Sequence, residues 1–509
     1  MKKYILSIAA MMAVVPLTAQ ETYENAKLVG DDLNGTARYV GMGGAMEALG
    51  ADISTIATNP AGVGLFRHSM VNASGSLVMQ SGAPSYDKGD KTNVSFDQLG
   101  FVYSIQTRPN SYLNLAFNYH KSKNFNYILA AANGLNNASQ NKLTYQKARN
   151  EVFKSTDDAT FSQVDALYVG TDLYDPENNV LYNDVATGFQ MNREHEGYIA
   201  DYDFSINGNI HNRVFLGITF GVKDVNYKHY GTYTEQINGQ PVTLADDRAI
   251  DGSGFDIKAG IIVRPVEDSP FRIGAYVHTP TWYDLSTSNY STLTGSARPS
   301  GETYDFKLYT PWKFGFSLGH TIGNNLALGA TYEYADYSSM DTRINDGGHY
   351  DWYYGDYFES TSADSEMNRN TKESLKGVST IKVGAEYKPL PELAVRVGYN
   401  YVSPKYKEDG YKDVAAVSPG VYYSSATDYT NWKGTNRIAC GIGYQIDRFN
   451  IDLAYQYSTQ QGDFTPFTKF VESEPDETGV IDHTQDNVAG FTKVKNNRHQ
   501  VMLTLGYHF

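Results

Sequence analysis

From Ser69 to Phe509 one pattern recurs: segments in which apolar residues alternate with small or polar ones, joined in pairs by very short connections. In AVRVGYNYVS, Val395, Val397, Tyr399 and Tyr401 oppose Ala394, Arg396, Gly398 and Asn400; in IDLAYQYS, Ile451, Leu453, Tyr455 and Tyr457 oppose Asp452, Ala454, Gln456 and Ser458. Successive side chains of a strand point to opposite faces, so each segment carries one apolar and one small-polar face. Fourteen segments fit this pattern. Six short connections, at 108–110, 211–212, 265–268, 323–325, 390–392 and 447–449, alternate with seven longer ones at 81–93, 125–194, 233–249, 284–300, 342–372, 406–431 and 465–491. That asymmetry is what fourteen antiparallel strands need when they close into a barrel across a membrane with both ends on one side. A two-sheet soluble assembly has no reason to show it. The fold class expected is all-β, a transmembrane antiparallel β-barrel of about fourteen strands over residues 69–509.

Composition agrees. No apolar run of 18 residues follows the N-terminus, and mean hydropathy is -0.45, which argues against membrane-spanning helices. Aromatic residues reach 13%, with 41 tyrosines and 46 glycines, a balance that suits strands, turns and membrane interfaces. A net charge of -15 disfavours nucleic acid as a partner, because its phosphates would be repelled. Residues 1–20, MKKYILSIAAMMAVVPLTAQ, read as a signal peptide: Lys2 and Lys3 precede an apolar stretch too short to span a bilayer. The one cysteine, Cys440, lies in a strand-like stretch and reads as a small packing residue.

Residues 21–68 differ from the remainder. GTARYVGMGGAMEALGADISTIATNPAGVGLFRHS lacks alternation, and Pro60 should end any helix at Asn59. The GMGGA at 41–45, Asp52 and the NPAG at 59–62 resemble the N-terminal hatch of the FadL/TodX family of outer-membrane transporters for hydrophobic compounds. The terminal VMLTLGYHF, with Leu505, Tyr507 and Phe509 on one face, resembles the signal by which the barrel-assembly machinery recognises its clients. The resemblance implies a channel for passive uptake of hydrophobic small molecules such as long-chain fatty acids. Its lumen would be plugged and gated by residues 21–68, through Gly43, Gly44, Asp52, Asn59, Pro60 and Ala61. It also implies an outer-membrane location, contact with outer-membrane lipid and glycolipid, no cofactor, no metal and no enzymatic activity. Fourteen strands enclose more space than side chains fill, so a plug is needed on physical grounds too.

Within the long connection 125–194, NFNYILAAANGLNNASQNKL suggests one or two short helices, and Phe125, Tyr127, Ile128 and Leu129 are candidates for a hydrophobic landing site on the outer loops. The family's lateral exit depends on a kink in the third strand. Residues 111–124 contain no glycine or proline to mark one, so the exit route stays open.

Other motifs have plainer readings. Gly315-Phe316-Ser317-Leu318-Gly319 matches a nucleophile-elbow pattern but sits inside a strand rather than at a strand-to-helix turn. Arg193-Glu194-His195-Glu196 could bind a metal and is more simply a solvated loop edge, its neighbouring residues pointing to opposite faces. Asp346, Asp351 and Asp356 offer hard oxygen ligands for calcium, in a stretch that is more simply an aromatic surface loop around Trp352 and Tyr353. Trp282 and Trp312 suit aromatic girdles, and Pro280 and Pro311 should mark strand ends or kinks. The alternatives to a plugged channel are a general diffusion porin and a surface-exposed binding or adhesion barrel.

Overall fold

A computed structural model describes residues 21–509 except 155–157, 172–173, 176–179, 297–298 and 472–482. The expected signal peptide lies outside the described residues.

Fourteen antiparallel strands form the wall. They are β1 (Met70–Ser81), β2 (Thr92–Arg108), β3 (Ser111–Asn124, then Tyr127–Ala138), β4 (Ala186–Ile210), β5 (Val214–Ile237), β6 (Gln240–Val263) and β7 (Arg272–His278, then Trp282–Leu293). There follow β8 (Ser300–Tyr309, then Lys313–Ile322), β9 (Leu326–Asp336, then Asp341–Asp351), β10 (Asp356–Ala363, then Gly377–Tyr387), β11 (Leu393–Val402), β12 (Tyr429–Ile446), β13 (Phe449–Thr465) and β14 (Thr492–His508). Each pairs with the next, and β14 closes onto β1 from Met70↔His508 to Ser81↔Asn497. Closure leaves no unpaired strand edge to face lipid.

Burial is inverted relative to a soluble protein. On β4, Phe204 is 55% exposed whereas its neighbour Asp203 is fully buried; on β5, Leu216, Ile218 and Phe220 face outward whereas Thr219 is buried. The outer face is an apolar belt for lipid, and the buried polar residues line the lumen. The C-terminal strand obeys the same rule, with Val501, Leu503, Leu505 and Phe509 outward and Met502 and Thr504 inward. Tyr507 lies beside Phe449 (ring centroids 4.8 Å), and Phe509 beside Phe101 (6.2 Å). Trp282 and Trp312 are also exposed on this outer surface.

Several strands run further than their alternation indicated. The expected loop at 233–249 is instead a continuation of β5 and β6, closed by a two-residue turn at Asn238 (φ 51°) and Gly239 (φ 77°). Both residues occupy the left-handed region, which the primed hairpin turns require and an Asn-Gly pair supplies. The expected loop at 284–300 shrinks likewise, since β7 reaches Leu293 and β8 resumes at Ser300. Within 125–194 the alanine-rich stretch expected to be helical is strand, because Tyr127 to Gly134 pairs along β4 from His195 to Gly188. The helices of that connection lie further on, at Gln140–Arg149 and Gln163–Val169. Pro280 and Pro311 break β7 and β8 at one height, where Thr310 N donates to Thr281 O (3.1 Å) and Thr281 N to Thr310 Oγ1 (2.8 Å). Side-chain hydroxyls there replace the ladder bonds that proline removes.

Candidate functional site

The lumen holds the N-terminal segment. Its regular pieces are short: an α-helix at Thr22–Leu28, another at Ala37–Gly41, and 3-10 turns at Ile53–Ala57 and Pro60–Leu65. Side-chain caps give it shape. Thr36 accepts from Tyr39 N, and Asp52 accepts from Ser54 N (3.0 Å) and from the Thr36 hydroxyl (2.8 Å). Asn59 accepts from Ala61 N and donates to Glu47 O (3.1 Å), and Pro60 opens the last turn at the position where its missing N–H costs nothing. All six residues expected to act in a hatch therefore lie in the lumen, and Ala61 is fully buried against Phe215 and Ile262 of the wall.

The seat for this segment is a row of glycines that sequence reading did not single out. Gly319, Gly329, Gly384 and Gly398 are register partners across β8, β9, β10 and β11. A Cβ on Gly329 would lie 1.9 Å from Ala45 O, on Gly384 2.2 Å from Met42 O, and on Gly398 2.1 Å from Gly43 N. The GMGGA backbone thus rests directly on the wall backbone. Gly43 (φ 63°) and Gly44 (φ 80°) supply the left-handed turn that lets it do so. Further along the wall, on β5 and β6, Gly260 receives the Asn59 side chain and Gly217 the carbonyl carbon of Pro60, at 2.0 and 2.4 Å from the added Cβ. The segment therefore rests on β8–β11 with one motif and on β5–β6 with the other. The detectable signal was a glycine at equivalent depth in successive strands, in SLGHT, ALGAT, KVGAE and RVGYN.

Buried ion pairs complete the attachment. Glu47, fully buried, meets Lys382 (2.8 Å), and Arg38 makes a two-pronged contact with Glu386 (2.9 and 3.0 Å). Glu24 meets Lys27 (2.7 Å) and Arg248 (3.3 Å). Lys405 donates to Ala26 O and Val29 O, and Lys123 to Val29 O and Gly30 O, so two ammonium groups cap the negative end of the first helix. Burial alone would raise the Glu24 carboxyl; Lys27 and Arg248 override it and hold it well below the usual glutamate range. Its contribution to docking is thus complete above the unfolded value of about 4.3 and disappears as pH falls through the depressed folded value. Acid release of the segment, followed by protease accessibility of residues 21–66, is expected only below about pH 4. Glu24→Gln should flatten that profile.

Between the segment and the outer half of the wall lies a cavity of about 300 Å³. Its lining combines aromatic residues, Phe125, Tyr127, Tyr227, Tyr406 and Trp432, with charged groups such as Lys123, Asp32, Lys258 and Arg437. An amphipathic lining of this kind holds a mostly apolar molecule and fixes its orientation through a few polar groups.

The third strand breaks beside this cavity. β3 stops at Asn124 and resumes at Tyr127, with Asn126 bonded across to Gly197 N (3.1 Å). Its second piece is drawn inward: Gln80 of β1 exchanges side-chain bonds with Ile128, and Arg498 of β14 donates to Asn124 O and Asn126 O. Pairing of β2 with β3 begins only at Gln98↔His120, so Thr92 to Phe96 of β2 pair with β1 alone among the described strands. A notch results, rimmed by Val94, Lys121, Asn124, Asn126 and Glu194, and Asn124 borders both notch and cavity. The break thus exists without a glycine or proline within 111–124, made by side-chain bonds from other strands.

Phe125, Tyr127, Ile128 and Leu129, expected on an outer loop, are placed at this break and in the strand after it. Phe125 and Tyr127 line the cavity; Leu129 packs in a buried cluster with Phe189 and Met191; Ile128 faces Gln80 and Gly89. His195 and Arg193, expected at a solvated edge, are buried in the lumen because β4 continues through them. Ser317 lies in a regular strand between Gly274 and Thr331, so the pentapeptide around it forms no elbow. Asp346 accepts from the Ser362 hydroxyl (3.1 Å), the side chains of Asp351 and Asp356 lie outside the described residues, and Trp352 and Tyr353 project from a hairpin tip.

No family profile matches the sequence, and no curated protein does. Solved structures do. The toluene transporter TbuX of Ralstonia pickettii is 11% identical with a TM-score of 0.48, over 94% of this chain and 99% of that one. The Pseudomonas putida toluene transporter TodX is 10% identical with a TM-score of 0.48 over the same shares. A FadL homologue from Pseudomonas aeruginosa matches over 100% of both chains, at 12% identity and a TM-score of 0.50. The fold of this chain is that of a FadL-type outer-membrane barrel.

Proposed function

We propose that this chain is a bacterial outer-membrane channel for passive uptake of hydrophobic small molecules, long-chain fatty acids among them, gated by its N-terminal segment. The observation that carries the reading is the segment itself, which lies inside the lumen on two glycine seats and leaves a partly aromatic cavity on its outer side. Ligand enters from the long-loop end and settles against Phe125, Tyr127 and Trp432. It leaves either past a rearranged segment or sideways through the notch beside Asn124. Asp52, Asn59 and Pro60 hold the turns that rearrange, and Gly43 and Gly44 hold the contact that breaks. Leu505, Tyr507 and Phe509 present the outward face that the barrel-assembly machinery reads, and lipid and glycolipid contact the apolar belt.

A general diffusion porin has no use for a segment that fills its lumen, and the same segment disfavours a barrel that serves only to display loops. Deleting residues 21–60 tests the reading. The wild-type channel is expected to show little steady conductance in a planar bilayer, and the deletion a large, stable one together with altered uptake of a hydrophobic probe. Equal conductance and equal uptake in both proteins would exclude gating.

A further inference from the structure

We propose that the outer face of the barrel carries a site for one phosphorylated lipid of the outer leaflet, whose acyl chain lies in a groove at Cys440 and whose phosphate is held by Lys493 and Lys495. The site lies outside the lumen and is independent of the uptake reading above.

The groove follows from one small side chain in a belt of large ones. Cys440 is exposed on the outer face, with Val397 of β11 and Tyr455 of β13 as its register partners. Those two residues, and Ile438 and Ile442 on either side along β12, are exposed as well. A thiol fills far less space than any of them. A groove of about 450 Å³ opens there, lined by Ile438, Ala439, Cys440, Tyr455, Tyr457 and His499. The Tyr455 hydroxyl and His499 Nδ1 satisfy each other at 2.7 Å, which leaves the apolar faces of the lining for a hydrocarbon chain.

The last strand fixes the height of this groove in the membrane. From the outer end down, the outward positions of β14 are Lys493, Lys495, Asn497, His499, Val501, Leu503, Leu505, Tyr507 and Phe509. From His499 to Phe509 the strand climbs about 26 Å along the barrel axis, at ~3.4 Å per residue and a tilt of about 40°, which matches an apolar belt of about 25 Å. His499, packed on Tyr457 with ring centroids 4.9 Å apart, therefore stands at the outer aromatic girdle. Lys495 lies about 10 Å above it, and the flexible lysine stem brings its ammonium down to the headgroups.

Charge identifies the occupant. Neither Lys493 nor Lys495 has a hydrogen bond or ion pair among the described residues, although the chain as a whole carries a net charge of -15. The register partner of Lys493 is Asp463, which is taken by Lys433 (3.1 Å), and that of Lys495 is the neutral Gln461. Two ammonium groups rising from positions about 7 Å apart on one strand face can bracket a phosphate with charge-assisted hydrogen bonds. A soluble anion would leave the groove below empty, and a neutral lipid would leave both lysines unpaired. A phosphorylated lipid serves both.

The test uses the full-length protein in detergent, with lipid retention followed by native mass spectrometry. The probes are diphosphoryl lipid A and the same lipid stripped of its phosphates. Wild type should bind the phosphorylated form about tenfold or more tighter. With Lys493→Gln and Lys495→Gln combined, the ratio should fall to near one. Cys440→Trp fills the groove and should weaken both lipids about tenfold while keeping the ratio, because the acyl chain loses the burial of a few methylene groups. Bound lipid A should also slow maleimide labelling of Cys440, the one cysteine of the chain. Heat-modifiable gel mobility reports that each variant barrel is folded. A wild-type ratio near one, or a ratio unchanged by the lysine substitutions, overturns the phosphate site. Unaltered lipid affinity in Cys440→Trp, or labelling of Cys440 that lipid A does not slow, overturns the groove. Neither result bears on the lumen, so the uptake reading stands or falls separately.

Discussion

Gly398→Val is expected to expel the N-terminal segment from the lumen while the barrel stays folded. The added Cβ would stand 2.1 Å from Gly43 N and 2.3 Å from the carbonyl carbon of Met42. Overpacking costs about 1–3 kcal/mol even where side chains can shift, and here the obstacle is main chain held by a left-handed turn at Gly43 and Gly44. Valine is at ease in a strand, and the pairing of Gly398 with Gly384 and Ala439 uses backbone atoms alone. Undocking is therefore the cheaper response. Residues 21–66 should become cleavable by added protease within minutes under conditions where wild type is resistant, and single-channel conductance should rise toward that of the deletion. Retained heat-modifiable gel mobility would report an intact barrel. Unchanged proteolysis and conductance would show that the glycine seat does not hold the segment.

Lys382→Met should have a comparable effect through charge. Glu47 is fully buried, and without Lys382 its carboxylate would keep, among the described residues, the hydroxyls of Tyr39 (3.0 Å) and Thr331 (2.7 Å). Removing one member of a buried ion pair costs about 3–5 kcal/mol, because the other is left uncompensated. The expected increase in the protease-accessible population is on the order of a hundredfold to several thousandfold. Combining Glu47→Gln with Lys382→Met should recover most of the loss, since Glu47 is then uncharged and Glu333, the other carboxylate beside Lys382 (3.6 Å), keeps Lys313 (3.9 Å) and the Tyr276 hydroxyl (2.7 Å). A double variant as accessible as the single one would place the defect in the wall rather than in the pair.

The barrel was legible in the sequence because its rule is local. Lipid outside and water inside force alternation on every strand, and Val395 to Tyr401 or Ile451 to Tyr457 display it without reference to anything distant. The closing pair was legible too, since a terminal strand with an apolar face must meet the first to leave no edge in lipid. Strand ends were less so. Asn238-Gly239 carries the turn signal, yet the polar residues flanking it resemble a loop, because β5 and β6 there rise beyond the apolar belt and have no lipid to match.

The site was legible only in part. Asp52, Asn59 and Pro60 announce turns by their own chemistry, and those turns form. The glycine row could not be read strand by strand, since one glycine in one strand has many explanations and only register brings four together. The break in β3 has no local cause at all: Gln80 and Arg498, far off in sequence, draw Ile128 and Asn126 inward. His195 was misplaced for the same reason, its burial depending on strands and a helix that lie elsewhere in the chain.

The sequence by itself determined that this chain spans a membrane as a fourteen-stranded barrel with a distinct N-terminal segment, because amphipathic alternation and turn length depend on nearest neighbours and solvent. Only the tertiary structure decided where that segment sits, which glycines receive it, and which side chains meet around the cavity. Those contacts join residues up to hundreds of positions apart, and their energies come from close approach and buried charge, which exist only once the barrel has closed.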